Sequence, residues 1–198
     1  MELRLLLLQG LKDAWWAAPL QLVGWVAGLT ALLAMAAWPW LRPGSPHPLA
    51  FRGVLMAFIV WTRLPALLLP LQNPDEGQFA AAAQRLLDDP VFWRSVDTGS
   101  SGPLNVLPLL APALFGLSPE LASSRLMGLL MAAAAVALLH AAIGRLWGER
   151  LARLAILPVA CSVAFMEAAD FVHYSSEHVP LLLTAAMVYG LARADDAT

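Results

Sequence analysis

ELASSRLMGLLMAAAAVALLHAAIG, residues 120–144, is the stretch that decides the fold class. Its only Asp, Glu, Lys or Arg residues, Glu120 and Arg125, sit at its start, and from there it runs apolar to Gly144 but for His140. A bilayer core of about 30 Å needs roughly 20 helical residues, and this stretch supplies them. Working outward, residues 20–40, 51–71 and 151–169 meet the same length. Residues 178–194 form a shorter candidate, with Pro180 near its start and Arg193 at its close.

The whole chain fits that reading. It has 198 residues, 60% of them hydrophobic and 13% charged, with a mean hydropathy of +0.68. Soluble domains carry about 25% charge and about 45–50% apolar residues, and one soluble core of this size has no room for the surplus. Disordered chains and ordinary cytosolic domains are excluded. A net charge of −2 gives no basic footprint for nucleic acid. Lys12 is the one lysine, and the lone Cys161 lies in an apolar run, so neither a disulfide framework nor a cysteine metal site is expected. Residues 1–17 read as an amphipathic surface helix, with Trp15 and Trp16 suited to the membrane interface. No small-residue cleavage site follows them.

Between 72 and 119 acids, Pro and Gly appear and no stretch is long enough to span. Within it, 103–116 (PLNVLPLLAPALFG) is apolar but short, and Leu104, Leu107, Ala111 and Leu114 recur at helical spacing. That pattern predicts a helix lying on the membrane surface. Arg145, Arg150 and Arg153 cluster in one loop and Arg42 and Arg52 flank another, and such loops stay cytoplasmic. Residues 72–119 and 170–178 then share the outer face. The first of these holds Asp75, Glu76, Asp88, Asp89 and Asp97 against Arg85 and Arg94. Arg4 and Lys12 fall on the outer side if 20–40 spans.

Three places carry groups fit for chemistry. Asn73-Pro74-Asp75-Glu76 opens a helix. One reading is structural: Asn73 as N-cap, Pro74 at the first helical position, Glu76 completing a capping box. The other rests on facing, because Asp75 is at helical spacing with Phe79, Ala82 and Leu86, and Glu76 borders that face through Phe79, Ala83 and Leu87. Carboxylates there are costly unless used or paired. Arg63 lies inside a span near its outer end; it can pair with Asp75 or Glu76, hold a lipid phosphate, or snorkel. Residues 167–178 bring Glu167, Asp170, His173, Glu177 and His178 to the outer face. The five-residue spacing of the two histidines matches no zinc pattern, and Glu177 heads a span.

In order and spacing these residues resemble the bacterial family-39 type of the C-superfold (GT-C) glycosyltransferases, relatives of protein O-mannosyltransferases and lipid A aminoarabinose transferases. The resemblance covers about 51–194. It rests on Arg63, Asp75, Glu76, Gly102, Pro103, Leu114, Phe115, Gly116, Ser124, Arg125 and Leu126, with Arg145 to Gly148 and Ser175 to Glu177. It implies transfer of a sugar from a polyprenyl-phosphate donor to a lipid, glycan or protein acceptor at the outer face. It implies Asp75 as general base with Glu76 beside it, and Arg63 and Glu177 near the donor phosphate. Ser101-Gly102 stands where the family often has Lys or Arg before Pro-Leu, and the family has more spans.

The expectation is therefore an all-α integral membrane protein with about five transmembrane helices and amphipathic juxtamembrane helices in the first outer loop. Residues 1–50 hold the N-terminal helix and an extra span. Residues 51–198 are the N-terminal part of a GT-C-like module, either a fragment or a shortened relative. The expected location is the bacterial inner membrane with the active face periplasmic or extracellular. Expected partners are the polyprenyl-phosphate sugar, membrane lipid and a further membrane subunit, with no nucleic acid. The sequence makes no cofactor certain and leaves a divalent cation open. The alternatives are a non-catalytic membrane subunit and a transporter component; paired broken helices would mark the latter, and the sequence has none.

Overall fold

The computed structural model describes residues 17–41, 47–68, 73–96, 101–166 and 173–195. The expected helix over 1–17 lies outside these residues except at its last position, as do Arg42, Asp97, Glu167 and Asp170. Among the described residues six α-helices carry the fold: α1 Ala17–Leu41, α2 Pro48–Arg63, α3 Pro74–Asp88, α4 Leu121–Trp147, α5 Glu149–Phe165 and α6 His178–Asp195. Among the described residues there is no strand, only an isolated bridge between Phe92 and Val96. Among the described residues three segments are long and apolar enough to cross a membrane: Pro19–Leu41, Pro48–Leu67 and Leu121–Trp147. The α5 helix, at 17 residues, and the apolar part of α6, His178–Ala194, are shorter.

Local chemistry sets the ends. His47 caps α2, its Nδ1 accepting from the Leu49 N–H at 3.3 Å, with Pro48 at the first helical position. Pro65 has no N–H to give, and α2 tightens there into a 3-10 turn over Leu64–Leu68. At α4, Glu120 and Ser123 form a capping box, the Ser123 hydroxyl accepting from the Glu120 N–H at 2.8 Å.

The segment 103–116 departs from expectation. It is not α-helical but two 3-10 pieces, Pro103–Asn105 and Leu107–Phe115. Pro108 and Pro112 remove the donors an α ladder needs. The period is then three, and Val106, Leu109 and Pro112 form the buried edge. Leu104, Leu107 and Leu114, expected to share a face at α spacing, are exposed. Gly116 closes the piece at φ +72°, a left-handed value glycine adopts without penalty.

Consecutive long helices run antiparallel. Gln21 near the start of α1 donates to the Trp61 carbonyl at the end of α2, at 2.7 Å. Near the other end of α1, the Met35 carbonyl accepts from Arg153 in the first half of α5 at 2.9 Å. Gly24 and Gly28 let α1 lie against α2: a Cβ at Gly24 would fall 1.8 Å from Trp61 Nε1, and one at Gly28 2.8 Å from Phe58 Cδ2. One apolar core joins Leu32 and Ala36 of α1 to Phe51, Leu55 and Ile59 of α2, Ala133 of α4 and Ile156 of α5. A second, under α3, joins Phe79, Ala83, Val106, Leu109 and Tyr174. It seats α3 and the 3-10 segment on the end of the bundle where α2 and α5 finish and α4 and α6 begin.

Candidate functional site

The start of α3 is built as the local sequence dictates. Asn73 is the N-cap, its Oδ1 accepting from the Asp75 N–H at 3.0 Å, and Pro74 follows. Glu76 does not turn back as a capping-box partner. The buried positions of α3 are Glu76, Phe79, Ala80, Ala82, Ala83 and Leu86, and Glu76 leads that seam at i, i+3, i+4 and i+7. Its carboxylate is fully buried and meets Arg125 as a fork: Nε to Oε1 and Nη2 to Oε2, each 2.8 Å. The Tyr174 N–H reaches Oε1 at 3.4 Å, and Arg125 Nη1 donates to the Ala66 carbonyl at 3.0 Å. One pair thus ties together α3, α4, the turn after α2 and the segment before α6. A desolvated ion pair persists only when geometry and extra hydrogen bonds offset the loss of water, and both are present.

Asp75 differs from its expected placement. The seam takes Glu76 inward, and Asp75 stays half-buried at the edge of the face. Arg63, 9% exposed, pairs with neither acid among the described residues: its Nε donates to the Val163 carbonyl at 2.7 Å, and its Nη2 is buried with no hydrogen-bond partner. Arg63, Ala66, Leu67, Arg125, Leu129 and Val163 line a cavity of about 10 Å³, room for about one water. Among the described residues the buried charged groups at this end are two guanidinium groups and one carboxylate, a surplus of one positive charge among them. Leu67 also borders a larger groove of about 420 Å³, walled by Ala111, Pro112, Phe115, Leu126 and Leu130.

The segment before α6 completes the site. His173 is buried, with Nδ1 3.9 Å from Glu76 Oε2 and neither ring nitrogen hydrogen-bonded. Burial first, then the Arg125 charge, hold its pKa below the ordinary histidine value, against the pull of Glu76. Tyr174 donates its hydroxyl to the Asn105 carbonyl at 2.7 Å, and burial pushes its phenol up. His178 stacks on Tyr174, 5.5 Å between centroids, with Nδ1 3.2 Å from the Ser175 hydroxyl. Glu177 is exposed, away from the cavity. The Ser175 hydroxyl and, less, that of Ser176 at 3.1 Å hold its carboxyl below the usual range. Among the described residues no three His, Cys, Asp or Glu side chains gather as metal ligands.

Sequence reasoning named Arg125 as part of a motif without giving it a partner. The available signal was its position, one turn inside an apolar span as Arg63 is. His173 carried no signal beyond its compartment, because its role depends on a chain reversal between α5 and α6.

The opposite end holds a second polar group. Arg153 is fully buried, its Nε donating to Glu149 Oε1 at 2.6 Å and its Nη1 to the Met35 carbonyl, with its guanidinium 5.1 Å from the Phe51 ring centre. Arg52 Nε donates to His140 Nδ1 at 3.1 Å. Comparison with protein-family models, with characterised proteins and with solved structures finds no match for this chain.

Proposed function

We propose that the chain is a multi-pass membrane protein of the bacterial inner membrane, with about five spans. In this reading the Arg63 end faces outward and the Arg153 end faces the cytoplasm. We read it as the N-terminal part of a GT-C-type glycosyltransferase that uses a polyprenyl-phosphate sugar. One observation carries the reading: Arg63 Nη2, buried without a partner beside a cavity it shares with Arg125. A buried cation without a carboxylate calls for an anion, and a guanidinium fork suits phosphate oxygens. The apolar groove adjoining at Leu67 suits the isoprenoid chain of the same molecule.

The residues then take distinct tasks. Arg63 and Arg125 hold the donor phosphate and stabilise its charge as the sugar–phosphate bond breaks, in a low dielectric that strengthens the contact. Glu76 positions Arg125 in the empty site. Asp75, half-buried and open to an incoming hydroxyl, takes the acceptor's proton as general base, a role worth about 10²–10⁴ in rate. Glu177 is kept on the donor side through the family resemblance alone. A non-catalytic membrane subunit remains the alternative, with a transporter component behind it.

In a complete enzyme carrying this segment, Asp75→Asn should lower turnover by about 10²–10⁴ while expression and donor binding persist, and Arg63→Met should lower donor binding itself. Near-normal turnover in Asp75→Asn would leave Asp75 a helix-end acid and favour the subunit reading. With Cys161 replaced, cysteines at Ser100 and Arg150 should label from opposite sides of the membrane; labelling from one side overturns the orientation.

A further inference from the structure

Arg125 faces both Glu76 and the cavity, with Nη1 on the Ala66 carbonyl. Its Nε and Nη2 hold Glu76, and the same side chain lines the cavity with Arg63. Beyond Glu76 stands His173, buried, 3.9 Å from Oε2, with both ring nitrogens idle. Buried polar atoms normally find partners. An imidazole that finds none, within about 1 Å of an ion-pair contact with a carboxylate, is placed for a second state of the site.

We propose that His173 is the alternate counter-ion of Glu76: when a phosphate group at the mouth of the cavity, which has room for about one water, places one oxygen in it and draws Arg125 to itself, His173 takes up one proton and pairs with Glu76, so that anion binding is linked to proton uptake. The inference rests on the phosphate site proposed above and adds its regulation.

The charges around His173 fix the direction. Glu76 faces it from α3 and Arg125 from α4, and His178 follows at the start of α6. In the empty site burial and Arg125 keep the imidazole neutral. A phosphate that neutralises Arg125 removes the repulsion, and Glu76, losing its partner, attracts a proton. Both changes raise the proton affinity of His173. By linkage, the anion binds more tightly as pH falls through that range, at most tenfold per pH unit for one proton.

The test uses the 198-residue chain in nanodiscs of phosphatidylcholine and, as probe, dioctyl phosphate, a diester with constant charge between pH 5 and 8. Affinity should rise roughly tenfold from pH 7.5 to 5.5 in the wild type and less than about twofold in His173→Gln. Calorimetry near pH 6.5 in two buffers of different ionisation heat should register uptake of about one proton by the wild type, a reading that needs no variant. Wild-type binding without proton uptake overturns the role of His173 and leaves the phosphate site standing. A pH dependence kept in His173→Gln and lost in His178→Gln also overturns it. Failure of the wild type to bind the probe at any pH overturns the phosphate site and this inference together.

Discussion

Arg63 and Arg153 are both buried guanidinium groups in apolar helices, at opposite ends of one bundle, and the chain completes them differently. Arg153 receives a carboxylate from its own helix, Glu149, one turn earlier, then the Met35 carbonyl and the face of Phe51. Arg63 receives one carbonyl and leaves Nη2 idle. A buried cation is costly in either place. Where the chain supplies the counter-charge, the arginine belongs to the frame that crosses α5 with α1 and α2. Where no described residue supplies it, the site proposed above gives the arginine an anion from outside.

The strongest way to break this contrast is to remove the carboxylate beside one arginine and, separately, the other arginine itself. Glu149→Ala strands a charge in a fully buried position and should lower stability by about 3–5 kcal/mol, measured by thermal unfolding in detergent. Arg63→Met removes a cation that has no carboxylate, and stability should hold or rise. Equal losses would erase the distinction between a framing and a binding arginine.

Acidity sharpens the comparison with a smaller effect. The pKa of His173 is lowered in the folded chain, so in the window just below about pH 6.5 the unfolded chain holds more of the proton than the folded chain. Stability is therefore complete above that pH and falls as pH drops, at up to about 1.4 kcal/mol per unit. The melting temperature should fall between pH 7 and 5, less so in His173→Gln; an unchanged slope in the variant would place the effect elsewhere. The smallest expected effect is at Asn73. Asn73→Ala should cost about 1 kcal/mol by taking the side-chain acceptor from the Asp75 N–H at the start of α3, with phosphate binding intact.

Apolar length made the helical class legible, because nothing but a helix satisfies so long an apolar backbone. The ends of α4 and α6 fell within a few residues of their expected places. Residues 103–116 were misread as an α-helix because leucines spaced by three or four suit either helix, and Pro108 and Pro112 decide between them. Asp75 and Glu76 border one face, and the sequence alone leaves open which of them turns inward. Arg125 decides that, from 49 residues away, and no local pattern carries such a partner.

The glycine pair of α1 has a consequence for mutational scanning. Most of α1 is outward-facing, its spanning window only 11% buried, so a saturation scan should find it permissive to almost any apolar substitution. Two positions one turn apart should stand out as sharp minima. At Gly24 even alanine would meet the Trp61 indole, and at Gly28 the Phe58 ring. The profile of an otherwise tolerant helix would then trace, in two missing rows, the line along which it leans on its neighbour.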